Sequence, residues 1–480
     1  MKFSLRLYQI ELINQVFAHW ANGRKRVILQ AGTGTGKTIM FNHIANLAEK
    51  KGKRVLIIAD RRELISQAWT RLWEWYGIHA GTILSGTAPA YQLPVQIASI
   101  QTLNKRSFPP GIDIVIIDEC RASVSPSYAP IFEHYKDCYF LGVDATPIRT
   151  SGQGFDHLYD EMVIGPSIKE MEDAGALKPG KPLVNPINQS QLSRIKMTAG
   201  DYNEKQLAAL MSDSQLTAGL VTSKNKWAKG LKTMCFAVNL EHSKAIVEQY
   251  RNAGISATHV DGSASVEDRA QIFRDYKTGK IELLCNVGIT TYGFDEPSIM
   301  AIQLARPTKS VSLYLQMVGR GARPYEGKDF YHLLDHANCV LEHGLPNKDR
   351  AWTLEGKPKV KKKQPMFRIM EDGKERIVSA LDFPTGIEGV ELEEISEETL
   401  LFWANCKNFD KIHARQQQAG HKPLWAYFVY LQKHGDSTGL NELRYIANKL
   451  GFKPGWAYYK FEELQKKAVR ATPLNTAHNF

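Results

Sequence analysis

The sequence predicts an α/β protein, with two parallel-sheet domains in tandem and a small, mainly helical domain after them. Three observations support this fold class. Short apolar segments typical of strands alternate with helical segments over residues 1–165. The same alternation starts again near residue 233, after a more polar stretch. Beyond residue 375 the chain becomes polar, then acidic, and finally helical and aromatic.

The bulk composition is typical of a soluble, folded protein. The chain has 480 residues, a length that fits about three domains. Its net charge of +11 has the sign expected of a protein that binds a polyanion. The six cysteines are scattered singly, which favours reduced thiols over disulfides or a zinc site. We find no signal peptide and no apolar run of membrane-spanning length, so we expect a cytoplasmic protein without a membrane partner.

We expect the first domain over residues 1–165. A helix is predicted at Leu12–His19, and another from Ile39 onward, where apolar residues recur at helical spacing. Runs that are apolar on both sides are typical of parallel strands covered by helices on both faces. The predicted strands are Val27–Gln30, Val55–Ala59, Val95–Ser99, Ile112–Ile117 and Phe140–Val143. Residues 166–220 are more polar, and we expect a helical connecting segment there.

A glycine-rich turn follows the first predicted strand and leads into a helix. Its glycines let backbone N–H groups face a ligand, and the new helix adds unsatisfied donors and the positive end of its dipole. Lys37 would reach the outer phosphates of a nucleotide, and the Thr38 hydroxyl would ligate Mg²⁺. The residues of this cradle are Gly32, Thr33, Gly34, Thr35, Gly36, Lys37 and Thr38. The general template has Gly where this chain has Ala31, and a turn that only joins strand to helix is the alternative.

Two carboxylates end the predicted strand at Ile112–Ile117. Asp118 would hold Mg²⁺ through water, and Glu119 would polarise the attacking water. An Asp-Glu pair that merely caps a helix is the alternative interpretation. Because the pair lies downstream of a phosphate cradle, we predict that these residues belong to one phosphoryl-transfer site.

We expect the second domain over residues 221–345, a basic linker over residues 346–375 and a helical accessory domain over residues 376–480. The linker contains five lysines within 357–363, and such a run usually lies in solvated chain. The predicted strands of the second domain are Thr233–Val238, Ala257–Val260, Ile281–Asn286 and Ala301–Leu304. Its predicted helices are Ser243–Asn252 and Val266–Tyr276.

The accessory domain has three predicted helices, Leu424–Lys433, Glu442–Leu450 and Trp456–Leu464. The first contains the aromatic residues Trp425, Tyr427, Phe428 and Tyr430. Such side chains can stack on unpaired bases, or they can form the core of a small helical domain. We favour the core, with Lys and Arg on the outer face supplying any DNA contact.

An ordered series of motifs resembles the superfamily 2 helicases, and within them the XPB/UvsW-like branch of phage and bacterial repair and recombination proteins. The series covers residues 3–345 and does not extend into the accessory domain. Its motifs are Leu5–Gln9, Ala31–Thr38, Asp60–Leu64, Gln101–Thr102, Asp118–Arg121, Asp144–Pro147, Asn286–Asp295 and Gln316–Arg323. The resemblance implies two RecA-like domains that face one another across an ATP cleft.

The resemblance also implies roles for individual residues. At the nucleotide, Arg6 and Gln9 would contact adenine, while Gly293 and Asp295 would approach from the second domain. Ala145 and Thr146 would couple the nucleotide site to the nucleic-acid path. Gln316, Arg320 and Arg323 would complete the catalytic site, with an arginine finger among them. The implied nucleic-acid contacts are Arg61, Arg62, Gln101, Thr102, Thr290, Thr291, Arg306 and Thr308.

Three positions depart from the family pattern. Arg121 stands where His or Asp is usual, Asp144 replaces Ser or Thr, and Tyr292 stands where an acidic residue or Arg is common. Because the first two motifs should lie side by side at the sheet edge, we expect Arg121 to pair with Asp144. An Arg121 that points to solvent is the alternative.

Together these features predict a helicase or translocase that depends on ATP and Mg²⁺ and acts on duplex, forked or branched DNA. Repair, recombination or replication would be its context. ATP would draw the two domains together, and hydrolysis would open them again. Three alternatives stay open: an RNA helicase, the motor subunit of a restriction-type complex, and an annealing protein that uses ATP only as a switch. Residues 346–480 contain no clear nuclease motif, so cleavage would need a partner.

Overall fold

The fold is taken from a computed structural model. It describes residues 4–60, 62–149, 153–184, 192, 195–198, 200–212, 214–260, 265–287, 296–356, 366–371, 374–379, 393–394, 397–418, 423–434, 438–452, 456–457 and 459–464. These residues fall into two compact units, one within 1–363 and 381–394 and the other within 364–380 and 395–480. No helix in these ranges is long and apolar enough to cross a membrane.

The first domain contains seven parallel strands among the residues described up to Ile164. Its elements are α1 (Leu7–Ala21), β1 (Arg26–Gln30), α2 (Lys37–Lys50), β2 (Val55–Ala59), α3 (Arg62–Tyr76), β3 (Gly81–Ile83), β4 (Val95–Ser99), α4 (Ile100–Leu103), β5 (Ile114–Asp118), α5 (Ala129–His134), β6 (Tyr139–Asp144) and β7 (Glu161–Ile164). The strands lie in the order β3, β4, β2, β5, β6, β1 and β7. Every neighbouring pair is parallel.

Residues along one strand alternate between two apolar cores. Val27 and Leu29 of β1 pack with α1, α2 and α3, whereas Ile28 packs on the opposite face with α5. The same alternation separates Ile57 from Ile58 in β2, and all of these side chains are completely buried. Helices therefore cover both faces of the sheet, as the continuous apolar runs predict.

The connection between the domains begins with α6 (Ile168–Asp173). Its first turn is closed by a capping box, in which the Glu170 backbone N–H donates to the Ser167 hydroxyl and the Ser167 N–H donates to the Glu170 carboxylate. The expectation of a helical connection over residues 166–220 is wrong at Gly180–Val184, which forms a strand, β8, of the second sheet. The buried Leu183 and Val184 explain the strand, but the run is too short to give a clear sequence signal.

The second domain repeats the architecture of the first. After β8 its elements are β9 (Met197–Thr198), β10 (Asp201–Tyr202), α7 (Glu204–Met211), α8 (Ser214–Trp227), β11 (Thr233–Ala237), α9 (Leu240–Asn252), β12 (Ala257–Val260), α10 (Val266–Lys277), β13 (Leu283–Val287), β14 (Ala301–Leu304), α11 (Val311–Val318), β15 (Tyr331–Asp335) and α12 (Cys339–His343). The main sheet runs in the order β12, β13, β11, β14, β15 and β8, all parallel. Glu393–Glu394 adds a short antiparallel edge strand beside β8.

The second compact unit contains a β-hairpin and a helical region. The hairpin strands are β16 (Met366–Glu371) and β17 (Lys374–Ser379), and the helices are α13 (Glu397–Gln418), α14 (Pro423–His434) and α15 (Leu440–Lys449). Residues 456–457 and 459–464 are also helical. Tyr427 and Tyr430 are buried, which confirms their predicted core role, whereas Phe428 is 55% exposed. The hairpin was not predicted, and the expectation of a linker over residues 346–375 is wrong at Met366–Glu371, which forms β16. The side chain of Trp425 and the lysine run 357–363 lie outside the described residues.

Candidate active site between two α/β domains

Two glycines of the loop after β1 have no room for a side chain. Gly34 and Gly36 have φ angles of 87° and 89°, in the left-handed region that glycine favours. A Cβ on Gly36 would lie 2.5 Å from Nε2 of Gln9, and one on Gly34 would lie 3.0 Å from Cδ2 of Leu177. The backbone of the loop is therefore closely approached from α1 and from the connection that follows α6.

Lys37 is the first residue of α2 and folds back over this loop. Its Nζ donates to the carbonyl oxygens of Ala31, at 3.2 Å, and Gly32, at 3.3 Å. Burial lowers the pKa of Lys37, although the carboxylates of Glu119 and Asp118 oppose that shift. An ammonium group held by carbonyls at a helix start, beside the Thr38 hydroxyl, fits a site for the outer phosphates of a nucleoside triphosphate.

Helix α1 supports the loop from outside. Gln9 is buried, and its Nε2 donates to the Thr35 carbonyl at 2.9 Å while its Oε1 accepts from the Arg6 N–H at 3.0 Å. The Tyr8 hydroxyl donates to the same Thr35 carbonyl at 2.6 Å. The structure thus gives Gln9 a positioning contact with the loop, and the adenine contacts of Arg6 and Gln9 stay predictions. Tyr8 was missed, although it lies within the motif Leu5–Gln9.

The two predicted carboxylates lie at the end of β5. Asp118 is buried, and Glu119 follows it with a φ of 53°, a strained conformation for a residue other than glycine. Burial, reinforced by the Glu119 charge, raises the pKa of Asp118 to about 7. Burial likewise raises the pKa of Glu119. Carboxylate and hydroxyl oxygens are suitable ligands for Mg²⁺. Thr38 and Asp118 would hold the ion together with the phosphates of the nucleotide.

Arg121 pairs with Asp144, as predicted. Its Nη1 lies 2.7 Å from Oδ1 of Asp144, and its backbone N–H donates to Oδ2 at 2.9 Å. The same guanidinium places Nη2 2.5 Å from Oε2 of Glu119. Because the Asp144 side chain is fully buried, Arg121 is the cation that compensates it, and the solvent-facing alternative is wrong.

Helix α11 of the second domain lies against this site. Gln316 Nε2 donates to Oε2 of Glu119 at 3.2 Å, and the Thr146 hydroxyl donates to the Ser312 hydroxyl at 2.6 Å. A Cβ on Gly319 would lie 2.7 Å from Cγ2 of Thr33 in the loop after β1. Residues 312, 316 and 319 recur at helical spacing, so one face of α11, continued by Gly319 directly after its last residue, makes all three contacts. Ser312 was missed, since a lone serine on a helix carries no signal of its own.

The two candidate arginine fingers follow α11. Arg320 comes directly after Gly319, which touches the loop, and its side chain is partly buried. Arg323 lies near Lys328, whose pKa is lowered to about 8 by burial and by the Arg323 charge. Arg320 is therefore the candidate that adjoins, in sequence, a residue in contact with the loop. Gly293, Asp295 and the unusual Tyr292 lie outside the described residues.

Two of the predicted nucleic-acid contacts of the first domain, Gln101 and Thr102, lie at the carboxyl end of β4. Gln101, just after β4, donates through Nε2 to Asp60, just after β2. The Thr102 N–H donates to the Ser99 hydroxyl at 3.2 Å, so that Ser99 caps the short helix α4. Arg61 lies outside the described residues, and of Arg62 only the backbone, at the start of α3, is described.

In the second domain, Arg306 and Thr308 lie in the loop between β14 and α11. Arg306 is partly buried, and Thr308 is buried. The Thr308 hydroxyl donates to Asp201 at 2.6 Å and accepts the Ser310 N–H at 3.0 Å. That hydroxyl is therefore engaged within the protein. Thr290 and Thr291 lie outside the described residues.

Comparisons with known proteins agree with this architecture. Residues 2–149 match the profile of the family "Type III restriction enzyme, res subunit", and residues 215–325 match "Helicase conserved C-terminal domain". The chain is 30% identical over 325 residues to the "51.5 kDa protein" of a Lactococcus phage, and the match covers 68% of each chain.

Two further relatives are longer than this chain. It is 32% identical over 352 residues to "Putative ATP-dependent helicase IRC3" of Saccharomyces cerevisiae, covering 69% of this chain and 51% of that protein. It is 26% identical over 376 residues to the "Type I restriction enzyme EcoAI endonuclease subunit" of Escherichia coli, covering 69% and 46%. The match thus spans about half the length of these two relatives.

Solved structures share the fold of two RecA-like domains. One is described as "The fragment structure of a putative HsdR subunit of a type I restriction enzyme from Vibrio vulnificus YJ016". It has a TM-score of 0.55 and 21% identity, over 74% of this chain and 67% of that one. Another is "ATP-dependent Type ISP restriction-modification enzyme LlaBIII bound to DNA". It has a TM-score of 0.54 and 17% identity, over 70% and 28%.

The Arg121–Asp144 pair predicts a clear stability effect. We expect Arg121→Ala to destabilise the first domain by about 3–5 kcal/mol, because it leaves a buried carboxylate without its cation. Thermal unfolding should show a fall in Tm, and adding Asp144→Ser should recover much of it. Lys53→Ala is the matched control, since Lys53 pairs with Asp113 at the exposed surface. Equal Tm changes for Arg121→Ala and Lys53→Ala would refute the assignment.

Proposed function

We propose an ATP-driven DNA motor, because the chain belongs to the superfamily 2 helicases, in their restriction-enzyme-like branch. It would act as a helicase or translocase on duplex, forked or branched DNA. The observation that carries the proposal is the contact between Gln316 of the second domain and Glu119 of the first, beside the Lys37 loop. Glu119, the carboxylate that would activate water, is thereby in contact with the second domain and would respond to its movement.

The first domain would bind the nucleotide. Mg²⁺–ATP supplies the transferable phosphoryl group and part of the charge compensation at the site. Lys37 would exchange the carbonyls of Ala31 and Gly32 for phosphate oxygens. Thr38 and Asp118 would hold the Mg²⁺, and Glu119 would orient the attacking water and accept its proton.

The second domain would complete the catalytic site. Gln316 would keep its contact with Glu119, and Arg320 would stabilise charge that develops on the transferring phosphoryl group, with Arg323 as the second candidate. An arginine supplied from the facing domain makes hydrolysis depend on closure of the cleft. Gly293 and Asp295 would approach the nucleotide from the same side, opposite Arg6 and Gln9.

Nucleic acid would lie along the loops at the outer part of the cleft. Arg61, Arg62 and Gln101 would bind phosphates in the first domain, with Thr102 beside them. Thr290, Thr291 and Arg306 would do so in the second, while the buried Thr308 would support its loop. Such contacts bind the backbone without reading sequence. Alternating grip by the two sets of loops would convert domain opening and closing into travel.

DNA is the favoured substrate. A related fold is described as bound to DNA, and two relatives are named as restriction endonuclease subunits. The match to the restriction res subunit also favours a second candidate, the motor subunit of a restriction-type complex. We further propose that the protein acts in repair, recombination or replication. We also propose that it is related to the XPB/UvsW-like branch of the superfamily 2 helicases. RNA unwinding and an ATP-switched annealing activity are the competing functions.

The substrate is tested by ATP turnover in the presence of single-stranded, duplex, forked and four-way DNA, and of RNA of matched length. We expect DNA to stimulate turnover more strongly than RNA, and forked or branched DNA to be unwound in displacement assays with either overhang. Stronger stimulation by RNA would favour the RNA helicase. Stimulation by duplex DNA without displacement would favour a translocating restriction-type motor.

Glu119→Gln separates hydrolysis from binding. We expect its kcat for ATP to fall about 100-fold or more, because the amide cannot accept the proton of water, while nucleotide affinity stays within a few-fold. Lys37→Ala should instead weaken nucleotide binding. Turnover and fluorescent-nucleotide titrations measure the two effects. A Glu119→Gln protein that still separates strands at the wild-type rate would support the annealing alternative.

The phosphate contacts predict a change in salt dependence. Arg62→Ala should weaken DNA binding and lower the slope of log K against log salt by about 0.9 for duplex DNA, since one phosphate contact is lost. The KM for ATP should stay unchanged. The control is Arg24→Ala. Arg24 is exposed just before β1, at the amino ends of the strands, whereas Arg62 follows the carboxyl end of β2. Equal slopes for both variants would contradict the assignment of Arg62.

A further inference from the structure

After α12 the chain does not leave the second domain directly but crosses back to the first. We call residues 345–356 the return segment. Its last residues lie against the first domain, and its first residues lie against the second. Up to Gly356 the chain therefore joins the two domains twice, through the connection that contains α6 and through the return segment, and Glu393–Glu394 later returns to the second sheet.

The end of the return segment is fitted closely to the first domain. The N–H groups of Phe155 and Asp156 donate to the Leu354 carbonyl, at 2.6 and 3.2 Å, and Gly356 pairs with Gln153 in an antiparallel bridge. The Leu354 side chain packs against the apolar core below β1 and β2. A Cβ on Gly154 would lie only 2.0 Å from the Leu354 carbonyl oxygen, so the backbones touch.

The start of the return segment is folded onto the second domain. The Arg350 guanidinium donates to four carbonyls, those of His343, Leu345, Pro346 and Lys348, at 2.7–3.2 Å. The Tyr314 hydroxyl of α11 donates to the Gly344 carbonyl at 3.0 Å. These bonds close a compact loop, whose position is tied to α11.

The two connections lie side by side. Nδ2 of Asn347, in the return segment, donates to Oε2 of Glu172, in α6, at 2.8 Å. Between Arg350 and Leu354 only residues 351–353 cross from one domain to the other, a span of at most about 14 Å. Two short, adjacent crossings allow rotation about the line that joins them and oppose separation or twisting of the domains.

A cavity beside the crossings gives such a rotation room. It has a volume of about 200 Å³ and lies between the loop after β1, the connection and the return segment. Its walls include Thr33, Ile168, Leu315, Lys348 and Trp352. This unfilled space lies between the two crossings, where a tilt of the domains would be accommodated.

We propose that the return segment and the connection through α6 together form a hinge between the two domains. The return segment would stay docked on the first domain through the motor cycle. Docking restricts the domains to opening about one axis, which keeps α11 facing the phosphate loop. The mechanical consequence rests on the proposed motor function. The hinge itself is measurable without nucleotide or nucleic acid, so its failure is distinguishable from failure of the motor assignment.

The first test undocks the segment. Gly154→Ala and Leu354→Asp should broaden the distance distribution between fluorophores attached at the exposed positions Lys51 and Lys229, in single-molecule energy transfer on the whole chain. Nucleic-acid-stimulated ATP turnover should fall at least fivefold. Gly219→Ala is the matched control, because a Cβ there meets nothing within 4 Å. Circular dichroism identifies a variant that fails to fold, and unchanged distances in both folded variants would overturn the proposal.

The second test locks the segment in place. Residues 153 and 356 face each other across an antiparallel bridge, a spacing that a disulfide can span. Oxidised Gln153→Cys/Gly356→Cys should keep at least half of its stimulated turnover and strand displacement. The reduced form of the same variant controls for the left-handed backbone at Gly356, where φ is 75°. A fivefold loss on oxidation that reductant restores would show that the segment must leave the first domain, and would refute a permanently docked hinge.

Discussion

The site depends on how positive charge is shared among three carboxylates at one edge of one sheet. Asp118 and Asp144 are buried, and the Glu119 carboxylate interacts electrostatically with both. Buried carboxylates repel one another unless cations compensate them. Arg121 serves Asp144 and Glu119 together, and Lys37 acts on Asp118 and Glu119 from the loop. Burial first, and then the Glu119 charge, raise the pKa of Asp118, and a divalent cation bound beside it would oppose both effects.

The same charge network explains why hydrolysis would respond to the second domain. Glu119 is held in a left-handed conformation, and its carboxylate accepts hydrogen bonds from Arg121 and from Gln316. Asp144 orients the Thr146 N–H, and the Thr146 hydroxyl reaches Ser312. Both paths end on α11. A shift of α11 therefore acts on the Glu119 carboxylate and on the Arg121 guanidinium at the same time.

The sequence predicted what is local and apolar. Val55–Ala59, Val95–Ser99 and Ala257–Val260 are observed with the predicted bounds. The first two are buried along their whole length, and the third is buried at its two end residues. Two short strands were not predicted. Gly81–Ile83 has only three residues, and Glu161–Ile164 shows no regular alternation of buried and exposed residues.

Within the site, the Arg121–Asp144 pair was predictable, because the motif that ends at Arg121 and the motif that begins at Asp144 lie at the carboxyl ends of the neighbouring strands β5 and β6. The contacts of Tyr8 and Ser312 and the docking of Leu354 were not. They join ordinary residues far apart in the chain, and no local pattern marks them.

Strand order gives the hinge a mechanical meaning. The connection leaves the first sheet at its β7 edge, the phosphate loop follows the adjacent β1, and the candidate nucleic-acid loops follow β2 and β4 farther across the sheet. Since neighbouring strands lie about 4.8 Å apart, the phosphate loop is about 5 Å from the hinge edge and the nucleic-acid loops are about 19–24 Å from it. A rotation about that edge moves each loop in proportion to its distance from the edge. The nucleic-acid loops would therefore move about 4–5 Å for each 1 Å that the phosphate loop moves. A small closure around phosphates thus becomes a larger displacement where the nucleic acid would lie, provided that the hinge does not twist.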